Sequence, residues 1–425
     1  SFDLPRLSSR ETYDRVAQDA WTAYEYFDRA GLVRRDPMPG EAGNLQHSEI
    51  NHAAGIAALA LRSRALLYAA SPLSNPEGDV SAWAAAAEAA SFTLDMALEY
   101  GYYLLPFDEW ENNWKYVDYT NEQLWAWTAG AIADNNDYIV SCNAYPMTNN
   151  KNGGAVCPTQ NAVDMYETAW GDPLNTEADR EAAAALGHYN EQRPYVNRDP
   201  RFYKLVVYDG ASSEGAPVIN IYYNPDTGTW PTTALSGKSR YFGYTWGSQT
   251  GMGVSNTGYY SRKWWDGKYT STKFAVTDPL FRLAEIYLNY AEAANEAWGP
   301  NGGVAGQISA VDAVNVVRDR ALMPPVLAKY AGDKDLLRER IQNERAIEFM
   351  DEGVHYLLDI HPVESLAHAQ DSLRDVYRVL PGKRGASCRA QLCAYPPVFR
   401  QAVNMEGRDV LLLPSCRGGQ QIQRL

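Results

Sequence analysis

Apolar positions follow the period of an α-helix in the first hundred residues, where they recur every three or four positions. Ser8 with Glu11 three positions later predicts the capped start of a first helix. A second helix is predicted to stop before Pro72, and a third to begin near Ser81. The alanine-rich stretch 84–90 favours close approach of neighbouring helices, as in helical hairpins and tetratricopeptide-type stacks.

The pattern changes between residues 101 and 277, where turn residues and aromatic residues replace helical periodicity. Runs of β-branched and aromatic residues at 206–208 and 218–222 predict short strands. We interpret this part as a loop-rich subdomain, the kind of region in which binding residues tend to lie.

Helical periodicity is predicted to return at Asp278-Pro279, because Asp is a good cap and Pro suits the first turn. The following helix has an apolar side from Leu283 to Ala297 and a polar opposite side. That polar side contains Glu285, Asn289, Glu292 and Glu296. A partner helix is predicted to open at Ser309, and a further helix to cover about 336–350.

Composition limits the classes of function. The 425 residues are 45% hydrophobic and 21% charged, which is typical of a folded globular protein. The net charge of −14 repels phosphate backbones and argues against nucleic acid as a partner. The 12 Trp and 29 Tyr far exceed the 10 Phe, which favours surfaces that are flat, apolar and able to form hydrogen bonds.

Several sequence blocks carry a family resemblance. The most characteristic is the run RLAEIYLNYAEA at 282–293. The other blocks are 57–71, 158–167, 197–202, 258–263, 314–321, 343–349 and Glu352-Gly353. Together, and in this order, they resemble the SusD/RagB family of outer-membrane glycan-binding lipoproteins, whose C-terminal signature the run at 282–293 resembles. The resemblance covers roughly residues 5 to 356.

The resemblance implies an all-α fold, with a tetratricopeptide-like scaffold at 1–100 and 278–352 and a loop-rich ligand-binding subdomain at 101–277. It implies non-catalytic binding of oligosaccharides or polysaccharides at the cell surface, without a cofactor. It also implies delivery of the ligand to a SusC-like TonB-dependent transporter in the outer membrane. The chain begins partway into the family's N-terminal helical region, so we expect a truncated product whose lipid anchor belongs upstream.

The tail from 353 to 425 is atypical for this family. Leu357 to Leu425 contains three cysteines and scattered basic residues where the family has aromatic, proline and acidic residues. Read one nucleotide later, the codons of residues 361–364 permit Ile-Arg-Trp-Lys, a family-like sequence. We hypothesise a shifted reading frame, in which case 357–425 carries no selected function.

A glycan site needs exposed aromatic planes flanked by hydrogen-bonding side chains, because sugar rings have apolar C–H faces and hydroxyl rims. The family often takes its ligand aromatics from the interval between the blocks at Arg198 and Arg282. The candidate ligand-binding residues there are Tyr223, Trp230, Tyr244, Trp246, Trp264 and Trp265. Trp110 and Trp114 form a second candidate cluster, whereas Trp125 and Trp127 are predicted to be core. For each candidate the competing interpretation is also a place in the core.

The charged motif residues are expected to be structural, as ion pairs between packed helices. They are Glu285, Glu292, Arg318, Arg320, Glu344, Arg345 and Glu348, with Arg340 and Glu344 at the spacing that faces them together. Asp199 is expected to fix a turn. The six histidines fit no metal-ligand pattern, so no metal site is predicted. Cys142 and Cys157 either close a disulfide loop or remain thiols.

Two alternatives stay open. A SusD/RagB-like protein that takes peptides would use the same scaffold. An all-α glycoside hydrolase would need two carboxylates about 5 to 10 Å apart, and Asp108-Glu109 beside Trp110 is the pair to test.

Overall fold

The computed structural model describes residues 6–36, 38, 52–115, 119–128, 157–211, 257–264 and 277–352, and the backbone of short strands at 218–220, 235–236 and 239–241. The whole atypical tail from residue 353 lies outside these residues. Within the described part, no helix has both the length and the hydropathy needed to cross a membrane.

Ten helices lie in the described residues. They are α1 (Ser9–Arg29), α2 (Gly55–Ala70), α3 (Val80–Glu99), α4 (Gln160–Asp164), α5 (Glu177–Ala185), α6 (Pro200–Leu205), α7 (Leu283–Trp298), α8 (Ala310–Arg320), α9 (Ala328–Ala331) and α10 (Lys334–Glu348). A 3₁₀ turn covers Trp110–Asn113. The fold is mostly helical, which confirms the predicted all-α class.

The strands are short and form small ladders. They are β1 (Gln123–Thr128), β2 (Val206–Val207), β3 (Val218–Asn220), β4 (Leu235–Ser236), β5 (Ser239–Tyr241), β6 (Tyr260–Ser261) and β7 (Thr277–Arg282). Strand β1 pairs with β7 and β2 pairs with β6, both antiparallel, while β5 lies between β3 and β4. The strands predicted at 206–208 and 218–222 are confirmed in shorter form.

Local capping sets where the scaffold helices begin. Ser8 and Glu11 form the predicted capping box of α1. The Asp79 side chain accepts a hydrogen bond from the Ser81 N–H and caps α3, and Ser309 caps α8 through the Asp312 N–H. Each capping side chain and the N–H that it binds lie within three residues of each other, so these helix starts can be recognised from the sequence alone.

The predicted helix start at Asp278-Pro279 is wrong. Residues Thr277–Arg282 form β7, and α7 begins only at Leu283. Asp278 lies opposite Trp127 and Pro279 opposite Ala126 in the β1–β7 ladder. Pairing with a strand about 150 residues away therefore prevails over the local helix signal.

The main core lies between α2, α3, α7, α8 and α10, with α1 packed on α2. Ala86, Ala87 and Ala90 are fully buried, so α3 approaches α2 and α7 closely, as the alanine-rich stretch predicted.

Helix α7 is buried on all sides from Leu283 to Glu296, including the side predicted to be polar. Each polar residue on that side has a partner on a neighbouring helix. These contacts are Glu285 with Arg64 at 2.6 Å, Asn289 and Glu292 with Arg345 at 2.8 and 3.0 Å, and Glu296 with Arg338 at 2.5 Å. The interpretation of Glu285, Glu292 and Arg345 as structural ion pairs is confirmed.

Candidate functional site

Two ladders hold ends of three sequence intervals, two of which carry candidate aromatics. In the first, Thr128 at the end of β1 lies opposite Thr277 at the start of β7. Interval 129–156 therefore begins next to the point at which interval 265–276 ends. Trp265 belongs to the second of these intervals.

In the second ladder, Val206 lies opposite Ser261 and Val207 opposite Tyr260. The Arg262 N–H also donates to the Leu205 carbonyl at 2.8 Å. The interval between these strands carries Tyr223, Trp230, Tyr244 and Trp246. Both of its ends are thus held side by side on the helical scaffold.

A buried network of six cations and six carboxylates lies beneath these ladders. Its cations are Arg201, Arg282, Arg318, Arg320, Arg340 and Lys263, and its carboxylates are Glu122, Glu167, Asp199, Glu344, Glu348 and Glu352. The formal charges balance. Each of the twelve side chains has at least one oppositely charged partner, and such pairing is the condition under which charges are tolerated in a protein interior. The Nε atoms of Arg320 and Arg340 are buried without a hydrogen-bond partner among the described residues.

Arg282, at the junction of β7 and α7, is the centre of one half of the network. Its guanidinium contacts Glu122 at 2.7 Å, Glu348 at 2.8 Å and Glu352 at 2.7 Å. The Lys263 Nζ lies 2.6 Å from Glu352. These contacts join β1, β6, β7 and the end of α10, so one ion-pair cluster fixes both ladders.

Arg201 and Arg318 organise the other half. Arg201 contacts Asp199 at 2.7 Å and Glu344 at 2.6 Å, while Arg318 contacts Glu167 at 2.8 Å and Glu344 at 3.1 Å. Asp199 also caps α6 by accepting from the Arg201 N–H, which confirms its expected turn-fixing role.

The predicted pairing of Arg340 with Glu344 is wrong. The Arg340 Nη1 lies 3.4 Å from Glu167, and Glu344 is bound by Arg201 and Arg318. Since both carboxylate oxygens of Glu344 are held by those two guanidinium groups, helical spacing alone does not select its partner.

The electrostatics of the network are those of a structural cluster. Burial raises the pKa of the Glu348 carboxyl, but the nearby Arg320, Arg282 and Arg201 outweigh burial and hold it well below its usual value. Burial lowers the pKa of Arg282, and the Glu352, Glu348 and Glu122 carboxylates more than offset this and raise it well above its usual value. Both groups therefore stay charged at neutral pH. Arg318, Arg320, Glu344 and Glu348 have the structural role predicted for them.

Three candidate ligand-binding aromatics lie inside the protein instead of on its surface. Trp110 and Trp114 are 0% and 1% exposed, and Trp264 is 5% exposed. The Trp110 Nε1–H donates to Glu348 at 3.1 Å, and the Lys263 Nζ lies 4.4 Å from the centre of the Trp114 ring. Trp110 and Trp114 thus contact the ion-pair network. The three rings are covered by protein and cannot offer a face to a sugar in this conformation.

The remaining predicted site residues lie outside the described residues. They are Tyr223, Trp230, Tyr244, Trp246 and Trp265.

Trp127 on β1 is an exposed aromatic residue that sequence reasoning assigned to the core. It is 47% exposed, whereas Trp125 is half-buried and its ring is stacked on Phe281 at 6.3 Å. The assignment to the core is therefore wrong for Trp127. The pairing of β1 with β7 shifts register between Trp125 and Ala126, and of the two tryptophans it is Trp125 that packs against the core. Trp127 adjoins Thr128, the point at which interval 129–156 begins.

A small apolar cleft of about 170 Å³ lies between α4 and the end of α10. It is lined by Cys157, Pro158, Ala162, Met165, Tyr166, Ala346, Ile347, Met350 and Asp351. Its volume is below the roughly 300 Å³ of a pocket that encloses a whole small molecule, so it suits only part of a ligand. Cys142 lies outside the described residues, so the two alternatives for Cys142 and Cys157, a disulfide or two thiols, are not tested here.

Asp108 and Glu109, the pair proposed for a hydrolase, are both exposed on the surface. Within the described part of the chain, no three side chains of His, Cys, Asp or Glu group in a way that would hold a metal ion.

Comparison with known proteins identifies the family. The model of the SusD family matches residues 110–360. A SusD-like protein from Bacteroides fragilis has 26% sequence identity and a TM-score of 0.56, with 87% of this chain and 63% of that chain covered. The chain thus spans less than two thirds of that protein's length. No curated protein matches.

Two further solved structures share the fold at lower identity. A SusD-like carbohydrate binding protein from Bacteroides fragilis has 21% identity and a TM-score of 0.51, with 82% of this chain and 59% of that chain covered. A SusD homologue from Bacteroides thetaiotaomicron has 18% identity and a TM-score of 0.52, with coverage of 88% and 63%. With the family match over more than half of its length, the chain belongs to the SusD family.

Proposed function

We propose that this protein is a non-catalytic glycan-binding protein whose ligand contacts Trp127 at the end of the β1–β7 ladder. The observation that carries the proposal is Trp127, a 47% exposed indole at the end of a ladder fixed by buried ion pairs. Its neighbour across the ladder is Asp278, a half-buried carboxylate.

The exposed indole of Trp127 and the adjacent carboxylate of Asp278 match the two parts of a sugar ring, its apolar face and its hydroxyl groups. The indole face packs against the apolar C–H face of a pyranose, and a carboxylate accepts hydrogen bonds from ring hydroxyls. Because Trp127 lies on a hydrogen-bonded strand, little backbone freedom is lost when ligand binds. The site is open, so part of the ligand stays hydrated and the affinity is modest.

Family membership supports the binding role. One relative with the same fold is described as a SusD-like carbohydrate binding protein. The balanced ion-pair network leaves its carboxylates engaged with cations, which suits a scaffold and not a general acid and base pair. We therefore propose binding without cleavage.

The family also leads us to propose a partner and a location. We propose that the protein delivers oligosaccharides or polysaccharides to a SusC-like TonB-dependent transporter. It would act at the outer face of the outer membrane, held there by a lipid anchor.

Isothermal titration with a panel of soluble polysaccharides tests the role of Trp127. Loss of one stacking contact of about 0.5–1.5 kcal/mol in Trp127→Ala corresponds to roughly 2- to 12-fold weaker binding. Trp298→Ala is the matched control, because Trp298 is 43% exposed at the end of α7. Equal affinity of the two variants and the wild type would contradict the placement of the site.

Peptide binding on the same scaffold is the second candidate. The apolar cleft lined by Met165, Ile347 and Met350 favours it. Its volume of about 170 Å³ is close to the roughly 150 Å³ of an apolar cavity that binds one benzene ring, so it suits one apolar side chain of a peptide. Titration with a peptide mixture separates the two functions. Saturable binding of peptides with no binding of polysaccharides would replace glycan binding by peptide binding.

A further inference from the structure

The turn at 168–172 is built rigidly from its own side chains. The Thr168 Oγ1 accepts hydrogen bonds from the N–H groups of Trp170 at 3.3 Å and Asp172 at 3.1 Å. The Gly171 N–H donates to the Thr168 carbonyl at 2.9 Å, and Gly171 has a φ of +84°, which favours glycine. This turn fixes the backbone that carries Trp170.

The Trp170 ring is itself held by a parallel stack. Its centre lies 4.3 Å from the centre of the His188 ring, with 8° between the two planes. The His188 Nδ1 lies 2.7 Å from the Asp172 Oδ2, and the same oxygen accepts from the Thr168 hydroxyl at 2.8 Å. Because a carboxylate only accepts, His188 donates to Asp172 through Nδ1, and this hydrogen bond fixes the imidazole beneath Trp170.

His188 covers one side of the indole, and Trp170 nevertheless remains 43% exposed, whereas His188 is half-buried. Single exposed aromatic side chains are common on protein surfaces. Trp170 differs from the equally exposed Trp298, for which the described residues provide no stacked ring. An indole already held in place loses little rotamer entropy when a ligand packs on it.

We propose that Trp170, held in place by His188, forms a second glycan contact, carried by a different segment from Trp127. A pyranose ring packs its C–H face on the side of Trp170 that faces away from His188, and the stack on His188 keeps the indole in position. This inference rests on the proposed function, since it names a further contact for the same class of ligand.

A second contact changes how binding depends on ligand length. A polymer that reaches both contacts gains effective concentration from the first binding event, whereas a short oligosaccharide occupies each contact separately. We therefore expect two binding sites for a tetrasaccharide and tighter binding of the intact polymer.

The test uses affinity electrophoresis of the full chain in native gels that contain starch, xylan, galactomannan or arabinan. Tetrasaccharides prepared from the retarding polymer are then titrated by calorimetry. Trp170→Ala is expected to weaken binding of the polymer by about tenfold or more and to reduce the tetrasaccharide stoichiometry from two to one. Trp298→Ala is the matched control and is expected to leave both unchanged.

Two His188 variants separate the roles of ring and nitrogen. His188→Phe retains a ring beneath Trp170 but loses the Nδ1 hydrogen bond to Asp172 that fixes this ring, so an intermediate loss of affinity is expected. His188→Ala removes the stack, so its loss of affinity is expected to approach that of Trp170→Ala. Circular dichroism of each variant verifies that the fold is intact.

The outcomes distinguish this inference from the function on which it rests. Polymer binding that depends on Trp127 but not on Trp170 would overturn the second contact and leave the proposed function standing. A stoichiometry of one tetrasaccharide per wild-type chain would also overturn the second contact and leave the proposed function standing. No retardation of the wild type by any polymer would overturn both.

Discussion

Arg282→Met should destabilise the protein strongly, because Arg282 joins both ladders to the helical scaffold. The side chain is 1% exposed and contacts Glu122, Glu348 and Glu352, each within 2.8 Å. Methionine fills similar space but carries no charge. The variant therefore leaves six buried carboxylates facing five cations.

The size of the effect follows from that imbalance. Removing one partner of a buried ion pair costs about 3–5 kcal/mol, since an uncompensated charge stays in the interior. Contacts group Ser1–Val363 into one compact unit. With an unfolding entropy of about 2.1 cal/mol/K per residue, this unit would lose about 4–7 °C in Tm.

Thermal unfolding followed by circular dichroism measures this loss. Arg282→Lys retains the charge but loses the two-pronged geometry, so its loss should be intermediate. Arg29→Met is the surface control: that side chain is 70% exposed and 3.8 Å from Glu25. A surface pair contributes about 0–1 kcal/mol, so Tm should fall by less than about 1.5 °C. If Arg282→Met and Arg29→Met lowered Tm equally, the network would not hold the ladders.

Three further predictions concern backbone conformation and pH. Gly171→Ala should destabilise by about 1–3 kcal/mol in chemical denaturation, because φ is +84° and the new Cβ would lie 3.2 Å from the Arg318 Nη2; an unchanged midpoint would contradict this. Leu322 is 68% exposed with a φ of +61°, so Leu322→Gly should stabilise by about 1 kcal/mol, and a lower midpoint would be the contrary result. The depressed pKa of Glu348 means that its contribution is present above the unfolded pKa of about 4.3 and is lost as pH falls through the folded value. Melting curves between pH 7 and pH 3 should therefore show a smaller acid-induced fall in Tm for Glu348→Gln than for the wild type, and parallel curves would count against this assignment.

Local signals in the sequence predicted the helical scaffold well. The caps at Ser8, Asp79 and Ser309 act within three residues, so their effect can be recognised without knowing the fold. Asp278-Pro279 carries the same kind of signal and fails, because β1 supplies a backbone partner from a distant part of the chain. Tertiary pairing is the information that the local pattern lacks.

The site was less predictable for the same reason. The structural role of Glu344 and Glu348 followed from their residue types, but the partner of Arg340 is Glu167, 173 positions away. Trp110 and Trp127 look alike in sequence, yet one donates to a buried carboxylate and the other faces solvent. Exposure depends on which elements pack around a residue, and no spacing rule encodes that.

The most direct test of the account is whether the protein binds a polysaccharide and leaves it intact. Size-exclusion chromatography with light scattering, applied to the wild-type chain after incubation with each polymer of the panel, reports both properties together. The account predicts co-elution of protein and polymer with the molar mass of the polymer unchanged. Failure to co-elute with any of the polymers, or a polymer whose molar mass falls with time, would contradict it.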